Sequence, residues 1–236
     1  MKAVILAGGL GTRLRPFTEV IPKPLLPLGG KAIIEHQIFT LRDAGVSEVF
    51  LATNYKSDLI EAFVGDGSKF GLPVRISRED VPLGTAGPLR LLAKSLDTPF
   101  LVMNGDILTN VSFRKFYTFA LQQKSILTVA TKIITTPFRF GNVTVDDSSA
   151  IVSVEEKPDF KLEVVAGLYC MDPQIFEFIP EGSYFGMDSL IKKLLSERKR
   201  IARFLIEDYW LDIGQVEDYG KAREIYAKTF GTDDKG

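Results

Sequence analysis

Short apolar runs of strand length alternate along the chain with segments whose apolar residues recur every three to four positions. That alternation predicts an α/β fold. The first run, residues 2–6, empties into the glycine cluster Ala7-Gly8-Gly9-Leu10-Gly11-Thr12-Arg13. Residues 32–44 place Ile33, Ile34, Gln37, Ile38 and Leu41 on one helical face and stop at Gly45, a residue suited to ending a helix. Further strands are predicted at 49–53, 74–77, 99–103, 126–132, 142–145, 151–154, 164–170, 201–206 and 210–213. Helices are predicted at 85–96, 113–123, 173–178, 187–198 and 215–229. The run 99–103 ends in Asn104-Gly105-Asp106. Asp106 therefore stands beyond the carboxyl end of a buried strand, where open α/β sheets hold their ligands.

Composition narrows the class. The chain has 236 residues, enough to bury a core without disulfides, and a single domain over 1–230 is expected, with the polar tail 231–236 frayed. Hydrophobic residues at 45% and charged residues at 25% match an ordinary soluble domain, which excludes collagen-like, coiled-coil and largely disordered readings. A net charge of −1 argues against a nucleic-acid-binding surface. The lone Cys170 can form neither an internal disulfide nor a cysteine zinc site, so a reducing cytoplasmic setting is expected. The apolar N-terminal run is too short to span a bilayer and lacks a signal-peptide cleavage region, and no membrane association is expected. Self-association is left open.

The glycine cluster departs from two familiar phosphate loops. A Walker loop needs Lys-Ser or Lys-Thr after its last glycine, and here Thr12-Arg13-Leu14-Arg15-Pro16 stands in that place. The dinucleotide fingerprint fails too, because Leu14 stands where its third glycine belongs and Pro16 and Pro22 interrupt the helix it needs. The chain continues instead with Arg13, Arg15 and then Lys23 held between Pro22 and Pro24. Prolines fix φ, so a cation between them loses little further entropy on binding. Backbone N–H groups with two or three held cations suit a polyphosphate.

The stretch Gly8 to Thr18 followed by Pro22-Lys23-Pro24 resembles the signature of the sugar-1-phosphate nucleotidyltransferases, or nucleotide-sugar pyrophosphorylases. Leu83-Gly84-Thr85-Ala86-Gly87, Asn104-Gly105-Asp106, Glu155-Glu156-Lys157-Pro158, Ala166-Gly167-Leu168-Tyr169 and Trp210-Leu211-Asp212-Ile213-Gly214 are similar to later motifs of that family, in order. The resemblance covers essentially residues 1–230. It implies a Rossmann-like fold with a mixed, mostly parallel sheet flanked by helices. The implied reaction joins a nucleoside triphosphate to a sugar 1-phosphate and releases pyrophosphate, with Mg²⁺ as cofactor. By the same resemblance Asp106 and Asp212 form the metal pair, Arg13 meets the pyrophosphate portion, Lys23 the reacting phosphates and Lys157 the sugar phosphate. Leu6, Ala7, Gly8, Gly9, Gly11, Thr12, Glu79, Gly84 and Thr85 fall to the nucleotide, and Asn104, Gly141, Glu156, Gly167 and Trp210 to the sugar. Val165 stands where many relatives carry Asn, which removes one sugar-holding amide. The left-handed β-helix of several relatives is missing, so no second acyltransferase activity is expected.

These residue types suit the chemistry. A sugar 1-phosphate is already ionised at neutral pH and needs no general base; the site must unite two polyanions and neutralise charge. Taken singly, Asp106 also reads as a turn residue and Asp212 as a surface carboxylate. Trp210 reads equally as core or sugar wall, His36 lacks a second histidine and is not read as a ligand, and Cys170 reads as an inert thiol. Uridylyl and thymidylyl members place Gln five residues before the glycine of Gly-Thr or Gly-Leu; here, counted back from Gly84, stands Glu79. A carboxylate only accepts, and guanine presents two adjacent donors, N1–H and N2–H. Segment 79–89 also resembles mannose-1-phosphate guanylyltransferases and enzymes for heptose 1-phosphate. The alternatives are a uridylyl- or thymidylyltransferase for glucose-, N-acetylhexosamine- or N-acetylmuramate-type 1-phosphates, and a catalytically silent nucleotide-sugar sensor.

Overall fold

The computed structural model describes residues 1–229, so the tail 231–236 and its expected fraying lie outside the described residues. The strands are β1 (Lys2–Leu6), β2 (Pro27–Leu28), β3 (Lys31–Ala32), β4 (Glu48–Thr53), β5 (Val74–Arg78), β6 (Phe100–Asn104), β7 (Ile107–Thr109), β8 (Leu127–Pro137), β9 (Asn142–Val145), β10 (Ile151–Glu155), β11 (Asp159–Met171), β12 (Ile201–Leu205) and β13 (Trp210–Asp212). The α-helices are α1 (Phe17–Val20), α2 (Ile33–Asp43), α3 (Ser57–Val64), α4 (Phe113–Gln123), α5 (Met187–Ser196) and α6 (Val216–Thr229). None of the described helices is long and apolar enough to cross a membrane.

Seven strands form the main sheet in the order β12-β8-β11-β6-β1-β4-β5. Strands β6, β1, β4 and β5 run parallel, β11 is antiparallel to both β6 and β8, and β12 is parallel to β8. The fold is thus the Rossmann-like one, with a mixed, mostly parallel sheet. The apolar runs are continuous because both faces are covered. Ala3, Ile5, Val49, Leu51, Leu101 and Met103 face one core with α2, α3 and α4, while Val4, Phe50, Ala52, Phe100 and Val102 face the other with α5 and the segment around Leu89. A third cluster, including Leu14, Leu26, Leu28, Ile33, Leu108, Ile213 and Tyr219, ties the loops after β1 to β7, β13 and α6.

The chain crosses from β1 outward to β4 and β5 and then returns to the other side of β1 as β6. That reversal opens a crevice at the carboxyl ends of β1 and β6.

Several predicted elements differ in detail. The helix expected over 85–96 is a 3₁₀ helix over Gly87–Leu92. Its bonds close over three residues, with Leu89 N–H donating to the Ala86 carbonyl at 3.1 Å and Ala93 N–H to the Arg90 carbonyl at 3.3 Å, while the N–H groups of Ala86 and Gly87, which have no partner within a helix, both donate to the Phe185 carbonyl. The segment Pro173–Phe178 is likewise a 3₁₀ helix. The helix α3 escapes sequence reading because it follows Lys56 in the left-handed region, without a capping side chain. Strands β8 and β11 run well past their predicted ends as a projecting arm, and β9 pairs with β10 in a separate two-stranded ribbon exposed on both faces. Burial gives no guide to strand length in such an arm.

Gly67, between α3 and β5, has φ +91°, and a Cβ there would stand 2.2 Å from the Leu72 carbonyl oxygen and 2.5 Å from the Val74 nitrogen. Gly71 has φ +77° but its nearest such neighbour is 3.7 Å away. Gly67→Ala should cost about 3 kcal/mol or more, on the order of 10 °C in Tm, and Gly71→Ala only the backbone strain of about 1 kcal/mol. Equal shifts in thermal melting would show that the clash at Gly67 relaxes freely.

Candidate active site

Loops from the carboxyl ends of β1, β4, β5 and β6 converge on one cavity of about 420 Å³. Its lining includes Leu6, Ala7, Gly8 and Gly9 after β1, Asn54 after β4, Glu79 after β5, Gly84 and Thr85, and Asn104 to Asp106 after β6, with Lys23 beside them. Eight of the residues assigned to the nucleotide from the sequence, Leu6, Ala7, Gly8, Gly9, Glu79, Gly84, Thr85 and Asp106, thus meet in one place, whereas Gly11, Thr12 and Arg13 do not line the cavity.

At one end lies Glu79, a buried carboxylate. Its Oε2 accepts the Leu83 N–H at 2.8 Å, and its Oε1 faces Gly8, 3.0 Å from where a Cβ would stand. Burial pushes its pKa up, only partly offset by the Leu83 N–H. The adjoining loop is held firmly: Phe185 N–H donates to the Leu83 carbonyl at 2.9 Å, and Met187 N–H donates to Thr85 Oγ1 at 2.7 Å. Gly84 is required in this loop, with φ +84° and no room for a Cβ, which would lie 2.7 Å from the Phe185 carbonyl oxygen.

At the other end the charges gather. Lys23 Nζ donates to Asp106 Oδ2 at 2.6 Å. The ribbon β7–β13 brings Asp212 alongside, opposite Ile107, with Ile213 N–H donating to the Asp106 carbonyl at 2.9 Å. Arg13 reaches the same corner: its guanidinium nitrogens and Asp212 Oδ1 crowd Gly214, at 3.5 Å and 3.4 Å from its missing Cβ. Asp212 is pushed up in pKa by burial first and by the Asp106 charge second, against the pull of Lys23 and Arg13. Oδ1 of Asp106 and Oδ1 of Asp212 are buried without a hydrogen-bond partner among the described residues. Two unpartnered hard oxygens at the edge of the cavity fit a divalent ion. Among the described residues no cluster of three or more His, Cys, Asp or Glu could hold a metal by itself. Two carboxylates alone are the donor set that Mg²⁺ takes where phosphate oxygens and water fill the rest of its shell.

The sugar-side residues divide. Asn104 lines the cavity, and Gly167 abuts its amide: a Cβ there would be 2.7 Å from Asn104 Nδ2. Gly167 sits in a bulge of β11 with φ +68°. Trp210 Nε1–H donates to the Ala166 carbonyl at 2.8 Å, and its ring packs on the core. Gly141, Glu156 and Lys157 lie apart, on and beside the exposed ribbon; Glu156 Oε2 is 3.2 Å from the Cβ position of Gly141, and Lys157 Nζ is 3.8 Å from Glu156 Oε1. They do not line the cavity. Gly11 and Thr12 lie at the turn into the 3₁₀ helix Thr12–Leu14, with Thr18 Oγ1 donating to the Gly11 carbonyl at 2.8 Å. His36 Nε2 is 2.7 Å from the Leu28 carbonyl, a structural contact, and burial lowers its pKa. Burial pushes the Cys170 thiol up to about 12, which makes it inert at neutral pH.

Pro82 and Pro88 of the segment 79–89 also line the cavity, as do Asn54 and Tyr184, which went unread in the sequence. Asn54 carries a findable signal, a polar residue just past the carboxyl end of a buried strand. Tyr184 carries none, because its loop reaches the cavity only through the tertiary fold.

The fold and this loop convergence define a nucleotide-binding α/β enzyme class, and the chain matches the nucleotidyl transferase family over residues 2–229 and belongs to that family. It is 34% identical over 234 residues to the mannose-1-phosphate guanyltransferase of Debaryomyces hansenii and 33% identical over 234 residues to that of Saccharomyces cerevisiae. Each match covers 96% of this chain and 64% of the relative, so the chain spans just under two thirds of their length. Among solved structures it is similar to a Bacillus anthracis protein described as a glucose-1-phosphate thymidylyltransferase, with TM-score 0.80 and 26% identity over 98% of both chains. It is also similar to HddC from Yersinia pseudotuberculosis, with TM-score 0.74 and 30% identity over 95% of this chain and 99% of that one. A further HddC structure, complexed with GMP-PN, matches at TM-score 0.73.

The raised pKa of Asp212 has a sign that can be tested. The fold favours the protonated carboxyl, so this contribution to stability is present below the ordinary aspartate pKa and is lost as pH rises. At neutral pH the ionised side chain therefore destabilises the metal-free protein. Asp212→Asn should raise the metal-free Tm at pH 7 by about 1–4 °C, with solvent screening keeping the gain to about 0.5–1 kcal/mol, and the gain should shrink toward pH 4. A lower Tm at pH 7 would contradict this placement of Asp212.

Proposed function

We propose that the chain is a Mg²⁺-dependent transferase that moves a guanylyl group from GTP to a hexose or heptose 1-phosphate, releasing pyrophosphate. The observation that carries the reading is Glu79, an acceptor-only carboxylate at the end of the cavity away from Lys23 and Asp106, with Oε1 not engaged by Leu83. Guanine N1–H and N2–H supply the two donors such a group calls for. Support comes from the relatives named mannose-1-phosphate guanyltransferases and from the similar structure holding GMP-PN.

With guanine against Glu79, the triphosphate runs past Gly8 and Gly9 toward Lys23, Arg13 and the two aspartates. An ionised oxygen of the sugar 1-phosphate attacks the α-phosphorus in line; a new P–O bond forms as the bond to the β-phosphate oxygen breaks, and pyrophosphate leaves with the electron pair. Lys23 and Arg13 neutralise charge that grows on the α-phosphate and the leaving group. Mg²⁺ held by Asp106 and Asp212 would add electrostatic stabilisation of the same oxygens. Asn104 and Gly167 bound the sugar side, and Lys157 with Glu156 would close on the sugar phosphate from the ribbon. A reducing cytoplasmic setting suits the single inert thiol and the absence of any need for disulfides.

The direct test is pyrophosphate release measured for four triphosphates against several sugar 1-phosphates. GTP should exceed UTP and dTTP in kcat/KM by at least about a hundredfold, since a pyrimidine leaves a desolvated carboxylate short of donors. Glu79→Gln should narrow that ratio, because the amide turns a donor toward guanine. Equal kcat/KM for GTP and UTP would replace this reading with a uridylyl or thymidylyl one, and no turnover with any pair would favour a silent sensor.

Charge and position should separate kinetically. Asp106→Asn should lower turnover by at least about a hundredfold, whereas Lys157→Ala should mainly raise KM for the sugar 1-phosphate. The same kinetic signature for both substitutions would contradict the division of labour.

A further inference from the structure

Gln37 lies in the apolar face of α2, among Ile33, Ile34, Ile38 and Leu41, and is 3% exposed. A buried amide among aliphatic side chains is costly unless its hydrogen bonds are made. Here they are made in one direction only. Nε2 donates to the Asn104 carbonyl at 3.0 Å and to the Ile107 carbonyl at 2.9 Å. Because a carbonyl can only accept, the nitrogen and not the oxygen must face this pair, and both of its hydrogens are used. Oε1 is buried with no partner among the described residues.

The two carbonyls bracket Gly105 and Asp106, the turn that carries the carboxylate beside Lys23. The rest of that turn is held by backbone: Gly105 N–H donates to the Leu6 carbonyl at 2.9 Å, and the Asp106 carbonyl accepts from Ile213 N–H at 2.9 Å. Among the described residues Gln37 is the one side chain that hydrogen-bonds the backbone of 104–107. The turn is thereby pinned to β1, to β13 and to α2, and only the third anchor depends on a side chain.

We propose that Gln37 is a positioning residue for the metal site: its amide clamps the two ends of the Asn104–Ile107 turn and so fixes the direction in which Asp106 presents its carboxylate. The assignment rests on the reading of Asp106 and Asp212 as the metal pair. Gln37 does not line the cavity itself. Its effect passes through Asp106, whose Oδ1 is unpartnered and whose Oδ2 is shared with Lys23, and through Asn104, which lines the same cavity. Groups that orient metal ligands typically change metal affinity or activity 10–100-fold when removed.

The test uses the full chain and Mn²⁺ alone as the probe, with binding read by EPR as loss of the free-ion signal, beside kcat, KM and thermal melting. Gln37→Met fills the space without a donor and should weaken Mn²⁺ binding about tenfold. It should lower kcat by a similar factor, part of which returns at high Mg²⁺. Gln37→Asn keeps the amide but is one methylene too short to span both carbonyls, and it should fall between the two; it carries the test if Gln37→Met does not fold. A lowered Tm in these variants with unchanged Mn²⁺ affinity and unchanged kcat would make Gln37 a strut of the core and overturn the assignment. Asp106→Asn is the reference. Mn²⁺ binding lost there but intact in the Gln37 variants would overturn the role of Gln37 alone, whereas no binding by the unmodified chain would overturn the metal reading and the assignment together.

Discussion

The ion pair between Lys23 and Asp106, at 2.6 Å, is the contact on which the site is organised. Two carboxylates are brought together by a short ribbon, and one lysine on a proline-stiffened loop answers them. Lys23 is largely buried, its side chain 11% exposed, and removing one partner of such a pair leaves the other uncompensated. The arrangement is short of positive charge: Asp212 stays pushed up in pKa, and one oxygen of each aspartate has no partner among the described residues. A protein core would ordinarily exclude this. Under the proposed function a divalent ion would supply the missing positive charge, and the phosphates of a nucleotide would meet that ion.

The rest of the fold keeps that corner rigid. The reversal of strand order beside β1 lets the segments after β1 and β6 meet at neighbouring strand ends, and the two apolar cores on opposite faces of the sheet hold both strands in register. The third cluster performs the same service for the loops. Leu14, Leu26 and Leu28 bury the apolar sides of the segments that present Arg13 and Lys23, and Ile213 and Tyr219 bind β13 and α6 to them. The cationic loop can thus be rigid although it contains only short helical turns. The ribbon β9–β10 is built differently, with no core of its own, and it carries Glu156 and Lys157 outside the cavity. The cavity is preformed by the core, whereas Glu156 and Lys157, the residues assigned to the sugar phosphate from the sequence, depend on a projecting element.

How far the sequence could be read depends on the same division. The strands β1, β4 and β6 are legible because each is apolar on both faces, and Asp106 is legible because it follows one of them directly. Lys23 stands out through its flanking prolines. The meeting of Asp106 with Asp212 rests on two three-residue strands, β7 and β13, and β7 is too short for any periodicity to show. Glu79 is found by counting from Gly84; the cavity around it is not readable, since Asn54 and Tyr184 arrive from distant loops. The expected α-helix over 85–96 is a 3₁₀ helix instead, because apolar spacing is nearly the same for the two and does not tell which carbonyl each N–H will reach. Gln37 is visible on an apolar helical face, but its partners lie 67 and 70 residues away and no local pattern names them.

On the proposed function a divalent ion would answer the positive charge that Asp106 and Asp212 lack and would also offset the negative triphosphate beside them, so each of the two ligands should tighten binding of the other. The most direct measurement is the affinity of a non-hydrolysable GTP analogue, with and without Mg²⁺, for the unmodified chain and for Asp212→Asn by titration calorimetry. Mg²⁺ should tighten the analogue at least about tenfold in the unmodified chain, and this gain should fall to near unity in Asp212→Asn. The same Mg²⁺ gain in both proteins would contradict the shared charge deficit, because Asp212 would then have no share in holding the ion.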